Sequence, residues 1–458
     1  MGMYRRITVL FTLSLVFAVV VPASSLAAPP TCNGVPATIV GTPGDDQIEG
    51  TDGDDVVVAF EGDDRIDTLG GVDLVCAGAG DDRVLVEAGV VFGGTGRDSI
   101  RTPWLAPGPV ELFGGDGDDH LYGSAGPDIL AGGSGRDVVY GHGGGDVLRG
   151  GQGDDNLDGG EGDDTLGGGP GDDLLEPGAG DDIVRGGGDV FGDVLQVEAG
   201  AGGADVDLRA GYAAQDGFTD VVQRIEHVIG SYSDDRIAGN ARSNMFDARS
   251  GDDVLIGRHG DDSFTKSRGA GSVNGGAGTD LLDLSGIYYG GGVQDPVLTV
   301  DLSIGFAVGP ELDVEVRQIE DVIGSKYNDL IVGHGSSNVL EGRDGDDRVY
   351  GRGGADTLLG GDGADELRGG SGNDTLVAPY GGVSGDRAFG GAGDDIIEMC
   401  EAHGGAGDDF IKSHIATGGP GHDYMDRAVC KWATQDDIFD GGSGDDILKG
   451  GPGDDRLD

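Results

Sequence analysis

Aromatic side chains make up only 6% of the 458 residues, and lysine and arginine together number 29 against 84 aspartates and glutamates. So few large apolar groups cannot fill the core of an ordinary enzyme of this length. The shortage of basic residues leaves a formal charge of -55 and a pI near 4.1, which opposes binding to nucleic acid or anionic lipid. Cations are the natural partners. The 16 prolines come with no Gly-X-Y run, which excludes collagen. Beyond residue 28 no apolar stretch approaches the roughly 20 residues of a membrane span, so stable membrane insertion is not expected. What the chain has in abundance is glycine, 97 residues, and aspartate at regular intervals.

Residues 1–28 read as a secretory signal, with Arg5 and Arg6 ahead of an apolar core over 7–21 and small residues from Pro22 to Ala28. Thr31 precedes Cys32 where a lipoprotein needs a small residue, so no lipid anchor is expected. The expected destination is outside the cell. There the four cysteines should pair, and of three connectivities sequence proximity favours Cys32 with Cys76 and Cys400 with Cys430. A zinc site is the rival reading, weakened because none of the four has a CxxC neighbour.

Glycine and aspartate fall into a nonapeptide frame. Residues 114–185 are eight uninterrupted units, opening GGDGDDHLY, GSAGPDILA, GGSGRDVVY. The frame also runs through 41–85, 93–101, 230–283, 324–377, 390–398, 404–412, 418–426 and 441–458, for 31 units in all. Position 8 is apolar in all 31, position 6 is Asp in 28 and position 4 is Gly in 27. The exceptions at position 6 are Asn244, Asn338 and Gly271.

Each position has a physical role. The residues around position 8 suffice for a short strand with one inward side chain, and the glycine-rich half turns the chain through angles that a Cβ resists. Two units make an 18-residue coil with a strand on each side. Coils stacked at the strand spacing of about 4.8 Å bring aspartates 18 apart into columns. Carboxylates so placed repel unless a cation lies between them. Calcium suits the gap, because it accepts six to eight oxygens from carboxylates and carbonyls in flexible geometry. One apolar side chain per nine ordered residues is a small return, so folding is expected to depend on the ion.

GGxGxDxUx, with U apolar, resembles the repeat of the RTX, or haemolysin-type, calcium-binding proteins. The resemblance implies an all-β fold, a parallel β-roll in several segments, with multiple Ca2+ ions between adjacent turns. Carried onto this chain it assigns calcium to Asp46, Asp55, Asp64, Asp73, Asp82, Asp119, Asp128, Asp137, Asp146, Asp155, Asp164, Asp173 and Asp182. Further along it assigns Asp235, Asp253, Asp262, Asp280, Asp329, Asp347, Asp356, Asp365, Asp374, Asp395, Asp409, Asp446 and Asp455. Sites at Gly271, Asn244 and Asn338 are expected to be weak or absent. Family members that carry enzymatic or toxic domains leave the cell by a C-terminal signal, whereas here the signal is N-terminal.

The expected organisation is a cap over 29–40, roll segments over 41–101, 114–185, 230–283 and 324–377, a loop over 102–113, and an interrupted C-terminal roll over 378–458. Breaks at 186–229 and 284–323 carry alternating patterns that predict β excursions closing one roll and opening the next. Each ends in a shared phrase, IEHVIGSYSDDRIAG from Ile225 and IEDVIGSKYNDLIVG from Ile319, which indicates a duplication offset by 94 residues. Trp104, Tyr380 and Trp432 in the shorter breaks could stack on a sugar or a partner, but covering a roll edge is the simpler role. His403, His414 and His422 fall within 20 residues of one another, at repeat edges and in a turn. No stretch outside the repeats reaches the size of a catalytic domain, and no GxSxG, HExxH or P-loop occurs. The expectation is therefore a calcium-binding, non-enzymatic protein with a structural, adhesive or surface role. The rival is a calcium-dependent extracellular enzyme or toxin acting on polysaccharide or cell surfaces. A surface glycan, a surface protein or a second copy of the chain are admissible further partners.

Overall fold

The computed structural model describes residues 29–103, 106, 108–188, 192–198, 202–288, 297–378, 385–427, 436–450 and 453–458. The signal segment, Trp104, Tyr380, Trp432 and Cys430 lie outside the described residues. Every regular element among the described residues is a β-strand, and none contains a helix long and apolar enough to cross a membrane.

The Asp-x-apolar triplet of each unit sets the strand. Val138–Tyr140, Asn156–Asp158 and Leu174–Glu176 stack in parallel, each residue beside the one 18 further on. On the opposite wall Ile129–Ser134, Val147–Gln152, Thr165–Gly167 and Ile183–Arg185 stack in the same register. The second residue of each strand points inward, so Val139, Leu157 and Leu175 face Leu130, Leu148, Leu166 and Val184, all fully buried or nearly so. This is the expected parallel β-roll, with a core one side chain deep from each wall. The turns between walls need glycine: Gly133 and Gly135 adopt φ of +126° and +129°, and a Cβ on either would lie about 2 Å from a carbonyl of the preceding coil.

The two long excursions are β-containing, as expected, and they are built alike. Ala204–Asp207, Tyr212–Gln215 and Phe218–Gln223 form an antiparallel meander, and Leu298–Asp301, Phe306–Gly309 and Leu312–Arg317 repeat it 94 residues later. Rather than capping a roll, each meander is stitched into one wall. Its last strand pairs in parallel with the coil before it and its first strand with the coil after it. Backbone pairing thus continues through the insertion, and among the described residues no strand of either meander is left with an open edge. Arg258 grips Asp207 of the first meander through two nitrogens at 2.9 and 2.7 Å, holding that carboxyl below its usual range, and Arg352 stands 3.5 Å from Asp301 at the duplicated place.

Coil length varies without breaking the ladders. Ile396–Glu398 pairs with Phe410–Ser413 at an offset of 14 residues, because Met399 and Cys400 alone join it to Glu401–Ala406. A disulfide joins Cys32 to Cys76, tying the N-terminal strands to the wall. Cys400 is also disulfide-bonded.

Candidate metal centre

The position-6 aspartates lie in columns at the two turn edges of the roll, and their two oxygens have different fates. One reaches back to the preceding coil: Asp137 Oδ1 accepts the Asp119 N–H at 2.8 Å, Asp155 the Asp137 N–H at 2.8 Å, and Asp164 the Asp146 N–H at 2.7 Å. The other oxygen is sealed in and has no hydrogen-bond partner. This holds for Oδ2 of Asp64, Asp73, Asp82, Asp119, Asp137, Asp146, Asp155, Asp164 and Asp182 in the first half. It holds equally for Asp262, Asp280, Asp347, Asp356, Asp365, Asp374, Asp395 and Asp409. Asp173 is buried in the same column, bonded to the Asp155 N–H at 2.9 Å.

A buried carboxylate oxygen without a partner is costly. Burial is the main reason these carboxyls hold their protons far above the ordinary range. The Asp146 and Asp347 carboxyls are pushed up to about 8, and Asp119, Asp155 and Asp164 to about 7. The backbone N–H opposes the shift in each case and neighbouring carboxylates add to it. Such a column lacks positive charge.

Position 1 keeps that oxygen accessible from the next coil. A Cβ on Gly141 would lie 2.5 Å from both Asp146 Oδ2 and the Gly159 carbonyl oxygen, and one on Gly342 would lie 2.2 Å from Asp347 Oδ2 and 2.6 Å from the Gly360 carbonyl. Glycine there leaves a cradle bounded by a carboxylate of one coil and a carbonyl of the next. Among the described residues no three His, Cys, Asp or Glu side chains converge on one point. The donors are therefore single carboxylates plus backbone carbonyls, an all-oxygen set that fits calcium and offers zinc neither nitrogen nor sulfur.

Not every predicted ligand is in this state. Asp46, Asp55, Asp128, Asp235 and Asp329 are satisfied within their own turn, where a Thr or Ser at position 2 donates its N–H and hydroxyl to the carboxylate. At the Asn positions the amide does both jobs. Asn244 Oδ1 accepts the Asn240 N–H at 2.9 Å while Nδ2 donates to the Glu226 carbonyl at 2.7 Å, and Asn338 repeats this with His334 and Glu320 at 2.9 and 2.6 Å. Asp253 meets the Lys266 ammonium at 2.7 Å instead of an open cradle. Asp446 and Asp455 stand at the C-terminal end of the roll, only partly buried.

Six further aspartates were not assigned to calcium from the sequence. Asp98 and Asp423 occupy position 6, and their Oδ1 atoms accept the Asp82 and Asp409 N–H groups at 2.9 Å. Asp193, Asp220 and Asp386 lie outside the frame yet accept N–H groups of Asp173, Asp182 and Asp365, each at 3.1 Å. Asp437, likewise outside the frame, is buried and bonds His414 at 2.7 Å. The available signal was Asp followed two residues later by a buried apolar residue (Leu195, Val222, Ala388, Phe439), whatever the length of the glycine half.

The position-5 aspartates are exposed, and they too tie coils together. Asp45 and Asp63 accept the N–H of Asp63 and Asp81, at 3.0 and 2.9 Å, in the direction opposite to position 6. The three histidines do not converge: His403 bonds Thr417 at 2.7 Å, His414 bonds Asp437, and His422 accepts the Asp445 N–H at 2.9 Å.

A family model described as the RTX calcium-binding nonapeptide repeat (4 copies) matches residues 40–75, 50–84, 113–148, 140–175, 168–190, 229–264, 323–358, 341–376, 380–398 and 434–458, together more than half of the chain. No curated protein matches it.

Proposed function

The chain belongs to the RTX calcium-binding nonapeptide repeat family, and on that premise we propose that it is a secreted, non-enzymatic protein whose roll condenses as calcium enters the aspartate columns. The observation that carries this reading is the series of buried, partnerless Oδ2 atoms at Asp137, Asp146, Asp155, Asp164 and Asp182, with a carbonyl of the next coil bounding the cradle at Gly141 and Gly159. When bound, calcium supplies the positive charge the columns lack.

The rest is done by the chain. Position-6 aspartates offer one oxygen to the ion and fix the carboxylate with the other. Position-1 glycines keep side chains out of the cradle, and position-8 residues close the core behind it. In an ion-free chain at neutral pH those carboxyls must be buried charged, take up a proton at a cost, or stay ionised in water. The last is cheapest, so the coils stay open. At about 0.1 to 1 mM, the working range of extracellular calcium modules, binding supplies the missing folding free energy. The signal-like residues 1–28 and the Cys32–Cys76 disulfide support an extracellular setting. The biological role that follows is structural, adhesive or surface-associated.

The test is a calcium titration of the mature chain followed by far-UV circular dichroism and hydrodynamic radius. The expected result is a cooperative gain of β signal and a contraction. Identical spectra and radii in chelator and in millimolar calcium would overturn the reading.

A further inference from the structure

One charged side chain in the roll is out of keeping with everything around it. Lys266 is among the largest fully buried side chains of the chain, and neither it nor Asp253 exposes any side-chain surface. Its ammonium donates to Asp253 Oδ2 at 2.7 Å, the Gly251 carbonyl at 2.7 Å and the Arg268 carbonyl at 2.8 Å. An ammonium has three N–H donors, and here each has one oxygen.

Those oxygens are of the same kind as the ones that bound the cradles elsewhere. Asp253 is a position-6 aspartate whose Oδ1 accepts the Asp235 N–H at 2.9 Å, as Asp137 and Asp155 do in their own columns. Its Oδ2 would otherwise be one more sealed, partnerless atom. Lys266 sits at position 1, where most units have glycine, and its own unit has Gly271 in place of the position-6 aspartate. That unit has thus lost a carboxylate and gained a cation together.

We propose that the Lys266 ammonium is a tethered cation standing where other coils take a calcium ion, so that residues 248–256 and 266–274 close on each other without metal. This rests on the calcium reading of the remaining coils. A bound ion leaves when calcium is scarce, whereas a lysine cannot dissociate. In a solenoid whose coils are stabilised by their neighbours, one metal-independent contact gives the chelated chain a fixed place from which order spreads.

Hydrogen exchange of the full mature chain, read peptide by peptide in chelator and in millimolar calcium, tests this. In chelator the wild-type amides over 248–274 should exchange at least about tenfold more slowly than those over 132–155. Lys266→Met keeps the length of the side chain but removes its charge, and should erase that protection. Lys266→Gly clears the space and should also lose protection in chelator but recover it in calcium, when the ion meets the same three oxygens. Equal exchange of the two regions in chelated wild type, or protection that survives Lys266→Met, would overturn the proposal. A wild-type chain in which no peptide anywhere slows on adding calcium would sink the calcium reading itself, and the proposal with it.

Discussion

The coils spanning 132–182 and those spanning 231–268 share a turn-edge position that must be buried, and they neutralise it differently. In the first region Oδ2 of Asp137, Asp146, Asp155, Asp164 and Asp182 is buried without a hydrogen-bond partner. In the second, Ser231 donates to Asp235, Asn244 replaces its carboxylate by an amide and Lys266 reaches Asp253, while Asp262 keeps a partnerless Oδ2. The Ser and Asn devices recur 94 residues later at Ser325 and Asn338, again just after a meander. The difference teaches that a repeat can leave its charge balance to an ion or settle it with its own donors. The coils that follow each inserted meander take the second course at Asp235, Asn244, Asp329 and Asn338.

Acid should blur this contrast most. The carboxyls of Asp137, Asp146, Asp155, Asp164 and Asp182 are raised to between about 6 and about 8 when the roll is formed without ions. A raised carboxyl favours the folded state fully below its unfolded value, near 3.9, and that advantage is lost as pH rises through the folded value. In chelator, circular dichroism at pH 4 should therefore show far more β signal than at pH 8, with the loss beginning above about pH 4 and complete by about pH 8. A chelated chain equally unfolded at both would break the argument.

Exchanging the two solutions is a sharper and smaller test. Asp155→Asn gives an ordinary coil the donor that Asn244 uses. It should raise stability in chelator and lower it in calcium, so that the midpoint of the calcium titration over that coil moves upward. The reciprocal Asn244→Asp places a carboxylate against the Glu226 carbonyl and should destabilise the chelated chain by about 1 to 3 kcal/mol, recovered in part by calcium. Chemical denaturation in both conditions measures each shift. If the two exchanges moved stability in the same direction in chelator, the distinction between the regions would be lost.

The smallest effect is expected from Ser231→Ala. It removes the hydroxyl bond to Asp235 Oδ1 at 2.7 Å but keeps the backbone N–H on Oδ2, so a cost of about 0.5 to 1.5 kcal/mol is expected in calcium and in chelator alike. A cost confined to calcium would place Asp235 with the ion-dependent coils after all.

Much of this was legible in the chain. A nine-residue period with Asp and an apolar residue two apart fixes a strand, an inward side chain and a turn-edge carboxylate, because all three arise within one unit. The 94-residue duplication was visible for the same reason, and it covers both meanders and the Arg258 and Arg352 contacts to Asp207 and Asp301. Asp193, Asp220 and Asp386 escaped because a fixed spacing was required of them, whereas the parallel strands of one wall pair at offsets from 14 to 43 residues. The meanders looked like caps because alternation announces strands without saying which neighbours they pair with.

Sequence alone determined the repeat, the stacking of coils and the acid at their edges, since these follow from local propensity and period. Which carboxylates still need a cation was decided only in three dimensions. Lys266 and Asp253 are 13 residues apart, in successive coils of one wall, and whether a long side chain ends on a given oxygen depends on how those coils are stacked. Charge neutralisation at a buried point is a sum over everything that converges there, and convergence is a property of the fold.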